Sequence, residues 1–481
     1  MMVYRGKPSK ACLECRNRKL RCDLRRGSCG QCIRATLECS GYRDTEQLRV
    51  RNETQTTKQK ALARRPKFVP PSLTIALDDR ARNAFFSHYV SGFSKTYDVL
   101  ESLYKQCPKD RPLTASVDAV SLAFFSFQFG CTQASQVARE KYLHALSLLN
   151  RALKSPESVT SDSTLLAVLL LDLFEKITNN NPRSIGSWMS HINGALALVE
   201  RRKAPSLQDY TGLRLSARLT TNLLISCISA NTPVPPALVE LRSDLEPFIN
   251  KEDPKWQISG LVVKYANLKG ATQDGCVSSP NIIARATALD LEFLSLAKRM
   301  PSTWLYNPAY VEKASERVFE KRYDIYPDHF VTQGWNVLRV MRILLNDIIR
   351  TYRDSKNTSP FNDGPSSPKS SIAAACIDEI AKGICATAPQ FTGYETTTPR
   401  SKAYCTTQRL RCYTLLFPLY VAGLYASSTT QIKPWIVKQL RFMSNEIGIP
   451  NAKVVAEILE RGGGTCPWDV YAVLGSYAFA A

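Results

Sequence analysis

The sequence has little that would carry it into or across a membrane. No apolar run reaches the ~20 residues that a bilayer-spanning helix needs. Leu165–Leu173 runs straight into Phe174-Glu175-Lys176, and Tyr413–Ala426 carries Pro418 inside it. Both read as buried core helices. The basic stretch Met1–Lys10 is followed by no apolar segment, so no secretory signal is expected. Catalytic signatures are missing too. There is no G-x-S-x-G, no H-E-x-x-H and no G-x4-G-K-[ST], and Gly462-Gly463-Gly464 follows no strand that would make it a phosphate cradle. The chain is therefore expected not to be an enzyme. Convincing two-residue alternation, the mark of strands, is absent. Acidic residues are in deficit, 42 Asp and Glu against 63 Lys and Arg.

That imbalance is uneven. Residues 1–70 hold 18 Lys and Arg against 6 Asp and Glu, a net of +12 out of +21 for all 481 residues. A dense positive end suggests a polyanion partner, because neutralising phosphates releases counterions. The cysteines are uneven as well. Nine of the fifteen are scattered without paired spacing and read as reduced, buried thiols. The other six form one figure written twice. Cys12, Cys15 and Cys22 follow C-x2-C-x6-C, and Cys29, Cys32 and Cys39 repeat it at a fixed offset. Six thiolates are too many for one tetrahedral zinc. They suit two Zn2+ if two sulfurs are shared, since two tetrahedra need eight bonds. A redox pair would need only one C-x2-C. A RING-like or ribbon site would usually draw on histidine, and His88, His144, His191 and His329 all lie outside the cluster.

The halves agree in metal frame and differ in charge. Between the second and third cysteines the first half reads Arg16-Asn17-Arg18-Lys19-Leu20-Arg21, and the second Ile33-Arg34-Ala35-Thr36-Leu37-Glu38. Both stretches are expected to be short helices, with Leu20 and Leu37 packed together between the halves. Only the first half is equipped for phosphates and base edges. This argues for a reader of nucleic acid rather than a structural zinc knot. A zinc module for RNA or protein interaction stays open as the alternative.

The run from Ala11 to Cys22, with Cys29-Gly30-Gln31-Cys32 and Cys39, resembles the fungal Zn(2)-Cys(6) binuclear cluster family of transcription factors. The resemblance spans Ala11 to Cys39 and takes in all six cysteines and the basic stretch. It implies that Cys12 and Cys29 bridge both zincs. It also implies that the first helix end enters the major groove over a CGG triplet. Lys19 would then contact bases, with Arg16, Arg18 and Arg21 as the neighbouring DNA-binding residues. Guanine O6 and N7 are acceptors that suit such a cation. Many family members have a proline in the loop before the fourth cysteine. Here the loop is Asp23-Leu24-Arg25-Arg26-Gly27-Ser28, and Gly27 is expected to make the turn.

Residues 44–75 read as a basic linker without a sustained heptad pattern. From about residue 76 to the end, apolar residues recur at helical spacing, at 114–131, 135–153, 162–178, 185–202, 211–232, 258–270, 280–299, 328–353, 371–388, 402–427, 430–447 and 451–461. Asp78-Asp79 offers an N-cap to an earlier helix, and 354–371 reads as a polar loop. The segment Trp188–Leu196, with Gly41-Tyr42-Arg43-Asp44, resembles the fungal-specific transcription factor domain, whose helical region is regulatory. In that segment His191 is expected to be a packed core residue, and Gly194 to allow close helix packing. The expected fold class is all-α: a Zn(2)-Cys(6) cluster at 8–43, the linker, and a large helical regulatory domain at 76–481. The resemblance implies a nuclear, sequence-specific DNA-binding regulator of RNA polymerase II transcription. Double-stranded DNA and the transcription machinery would be its partners, with a homodimer as the assembly and no membrane. Its genes would be a secondary-metabolite cluster or a catabolic set.

Overall fold

A computed structural model describes residues 8–45, 54–63, 75–108, 111–178, 194, 196–198, 209–273, 278–357, 368–394, 404–462 and 466–474. The chain divides into two compact units, Met1–Thr74 and Ile75–Ala481.

In the first unit the sequence repeat becomes a backbone repeat. Helices Leu13–Asn17 and Gly30–Arg34 keep the offset of the cysteines at both ends. Each begins right after a cysteine, Cys12 or Cys29, whose carbonyl accepts from Arg16 N (3.1 Å) or Ile33 N (3.0 Å). Each ends in the same way. Lys19 and Thr36 adopt the left-handed conformation, φ 53° and 51°, and Leu20 N and Leu37 N donate back to the carbonyls of Cys15 and Cys32 at 2.9 and 3.0 Å. The helices thus end sooner than expected, and Lys19 lies just past the first. The left-handed turns also send Leu20 and Leu37 outward. They are 40% and 45% exposed and do not form the expected buried pair. The linker contains a helix, Thr54–Ala63.

The second unit is built from helices, as its periodicity predicts. Pro112–Phe129 packs against Thr132–Ala152 and Asp162–Thr178. The long helix His329–Asn357 packs against Ser279–Lys298 and Pro368–Cys385. One apolar cluster runs from Ala81 to Leu474. Several departures from expectation have local causes. The first helix begins at Leu77 with Ala76 at its N-cap, so Asp78 and Asp79 lie in its first turn rather than capping it. The stretch 402–427 contains two helices, Thr406–Tyr413 and Leu416–Tyr425. The restart places Pro418 in a first turn, where its missing N–H leaves no bond unmade.

A pair of short antiparallel strands, Asn307–Tyr310 and Arg322–Ile325, pairs Asn307 with Ile325. Fully buried Asp324 ties it down. Its carboxylate faces Arg322 Nη2 at 3.1 Å and Arg339 Nη2 at 3.8 Å, and its N–H donates to the Ala386 carbonyl at 2.9 Å. Trp188 and His191 lie outside the described residues. Gly194 is helical, and among the described residues no atom lies within 4 Å of where its Cβ would be. Among the described residues no helix is long and apolar enough to cross a membrane.

Candidate metal centre

The six cysteines of the repeat gather into one cluster, with Cys12, Cys15, Cys29 and Cys32 buried and Cys22 and Cys39 at its edge. Four sulfur–sulfur contacts define it: Cys12–Cys29 and Cys12–Cys32 at 3.7 Å, Cys15–Cys29 at 3.5 Å and Cys22–Cys12 at 3.9 Å. These are too long for disulfides, whose sulfurs lie about 2.05 Å apart. They match a zinc tetrahedron, since Zn–S bonds of about 2.3 Å put ligand sulfurs about 3.8 Å apart. The donor set therefore fits zinc. Every one of these contacts includes Cys12 or Cys29, and Cys12 touches a cysteine from each half.

The frame is held by side chains at equivalent positions of the repeat. Asp23, just after the third cysteine, accepts from Gly30 N with both oxygens at 3.1 Å, at the start of the second helix. Ser40, just after the sixth cysteine, accepts from Leu13 N at 3.1 Å, at the start of the first. Each half caps the helix of the other. Glu14 closes the second cap by accepting from the Ser40 hydroxyl at 2.6 Å and its N–H at 3.2 Å. These bonds hold the Glu14 carboxyl below its usual range. A Cβ on Gly30 would lie 2.7 Å from Asp23 Oδ2, so glycine is needed for that approach. Gly27 makes the expected turn at φ 87°. Tyr42 packs on the cysteines and donates its hydroxyl to the Arg25 carbonyl, fastening the same loop.

Burial pushes the Cys15 thiol up to about 12 and raises Cys32 as well. Cys22 and Cys39 are lowered, chiefly by backbone N–H groups. Thiols with raised pKa values must lose their protons to bind metal.

Of the cationic residues singled out in the sequence, Arg18, Lys19 and Arg21 are exposed, while Arg16 is half-buried. Their counterparts Ala35, Thr36, Glu38 and Ile33 occupy the same backbone positions without positive charge.

Residues 10–49 match the family model of the fungal Zn(2)-Cys(6) binuclear cluster domain, and residues 67–246 that of the fungal specific transcription factor domain. The chain has the domain pair of a fungal Zn(2)-Cys(6) transcription factor. No curated protein and no solved structure matches it. The cluster binds two zinc ions. The cross-capping by Asp23 and Ser40 was not anticipated from sequence. The fixed offset between the halves was the available signal, but Asp and Ser do not look alike as letters.

Proposed function

We propose that this transcription factor acts in the nucleus and reads CGG-type triplets in double-stranded DNA to regulate RNA polymerase II transcription. The observation that carries the reading is the charge difference between two halves sharing one backbone. Where the second half has Ile33, Ala35, Thr36 and Glu38, the first has Arg16, Arg18, Lys19 and Arg21. In this reading Cys12, Cys15, Cys22, Cys29, Cys32 and Cys39 hold the two zincs, and Cys12 and Cys29 are shared. The contacts that converge on those two sulfurs support the sharing. Lys19 is exposed just past a helix end, a position that suits an approach to guanine O6 and N7. Arg16, Arg18 and Arg21 hold phosphates beside it, which fixes register.

Residues 8–43 are then the DNA-binding domain, 44–75 the linker and 76–481 the regulatory part, which supports dimerisation and contact with the transcription machinery. That assignment, and a secondary-metabolite gene cluster as the regulated set, rest on resemblance. Band retardation of CGG-bearing duplexes by the zinc-loaded chain tests the reading. Preference for CGG that survives rising salt supports it. Weak, steeply salt-dependent binding at every sequence would favour an RNA- or protein-interaction module instead.

A further inference from the structure

We propose that the helical unit binds a small organic monocarboxylate in a cleft of about 530 Å³ between Pro327–His329, Gln390–Phe391 and the helix Thr406–Tyr413, with Arg411 as the group that holds the anion. This goes beyond the DNA reading and does not rest on it. The volume falls in the range of small-molecule sites.

The polar groups lining the cleft are mostly committed to the protein. Asp328 accepts from Lys95 Nζ at 3.1 Å and Val331 N at 2.8 Å. Gln390 spans the backbone of Tyr326, accepting from its N–H at 3.0 Å and donating to its carbonyl at 2.8 Å. His329 Nε2 donates to the Phe93 carbonyl at 3.0 Å, and its ring stacks on Phe93. Gln408 Nε2 reaches the Phe391 carbonyl at 3.5 Å. The Arg411 guanidinium has no hydrogen bond or ion pair with any described residue. A guanidinium fork suits a carboxylate bidentately.

Charge around the cleft selects the sign of the ligand. Lys95 Nζ and Lys255 Nζ stand 4.3 and 4.7 Å from the centre of the Phe330 ring, which lies against His329. With Arg411, and with Arg218 whose field also reaches Lys255, these make four cations, opposed by Asp328 and by Asp253 beside Lys255. His329 adds no charge at neutral pH. Burial lowers its pKa to about 4, and the fields of Arg411 and Lys255 push the same way. Positive charge is in excess, which suits an anion. Pro327 and Phe391 give its body an apolar wall. A ligand seated here touches three separate segments, so its binding can bias their arrangement.

Cys405, an exposed thiol lining the same cleft, supplies a local readout. The full-length zinc-loaded protein is alkylated with iodoacetamide, and modification of Cys405 is followed by peptide mass spectrometry. Benzoate should slow it saturably, while benzamide, of the same shape without the charge, should not. Arg411→Gln should raise the half-protecting benzoate concentration about tenfold, the loss expected for one charge-assisted contact. Its melting temperature should not change, because Arg411 is exposed and pairs with no described residue. Arg411→Lys should lose less. The proposal is overturned if benzoate gives no protection, if protection is equal in Arg411→Gln, or if inorganic phosphate protects and benzoate does not.

Discussion

Replacing Lys19 by Thr should separate the metal frame from the reading of DNA. Thr is already tested by the fold at this place, because Thr36 holds the equivalent position of the second half at φ 51° against 53° for Lys19. Lys19 N donates to the Arg16 carbonyl and Thr36 N to the Ile33 carbonyl, both at 3.1 Å, and the Thr36 hydroxyl finds the Ala35 carbonyl at 2.7 Å. The substitution therefore demands no new backbone conformation. It touches no cysteine contact, and it removes one exposed ammonium. A good side-chain contact to a base edge contributes about 1–3 kcal/mol of discrimination. This corresponds to roughly 5- to 150-fold in relative affinity. The expected result is two zincs per chain as in the parent, a preference for CGG over an altered triplet reduced within that range, and little change in binding to unrelated duplex. Competition binding together with zinc quantification measures all three. If Lys19→Thr kept its full preference, base reading by Lys19 would be refuted. If it lost zinc, the premise that frame and reader are separable would fail.

Asp23→Ala should remove the acceptor at Gly30 N and weaken the cluster by about 1 kcal/mol, the usual size of an N-cap; zinc competition against a chelator checks it, and unchanged zinc retention would count against the cross-capping. Asp324→Asn should destabilise the helical unit by about 3–5 kcal/mol, because it leaves the buried Arg339 without its anion; a thermal transition that stayed at the parent's would contradict this. His329 is neutral in the fold, with its pKa depressed to about 4 by burial, against about 6.5 in an unfolded chain. Its contribution is therefore present above about 6.5 and is lost as pH falls toward 4, where the unfolded state binds the extra proton. Denaturant unfolding across that window should show stability falling with acid, and His329→Gln should flatten the slope.

The gathering of the six cysteines could be read because metal ligation acts through residue type and spacing, both visible as letters. The charge difference between the halves was visible for the same reason. What the letters hid was the path of the chain between the cysteines. Leu20 and Leu37 look like a packed pair, but left-handed turns at Lys19 and Thr36 expose them, and nothing in Lys or Thr announces that conformation. The long helices showed in the helical spacing of their apolar residues. The strands Asn307–Tyr310 and Arg322–Ile325 did not, because each is too short to alternate and the buried Asp324 reads as a surface residue. The cleft beside Arg411 is built from segments far apart in the sequence, a proximity that only the fold creates.

The most direct test of the account is selection from a library of randomised duplexes with the full-length zinc-loaded protein. The account predicts that retained duplexes share a CGG-type triplet, and that removing zinc with a chelator abolishes the enrichment. Retained duplexes with no common triplet, or the same triplet selected by the zinc-free chain, would contradict it.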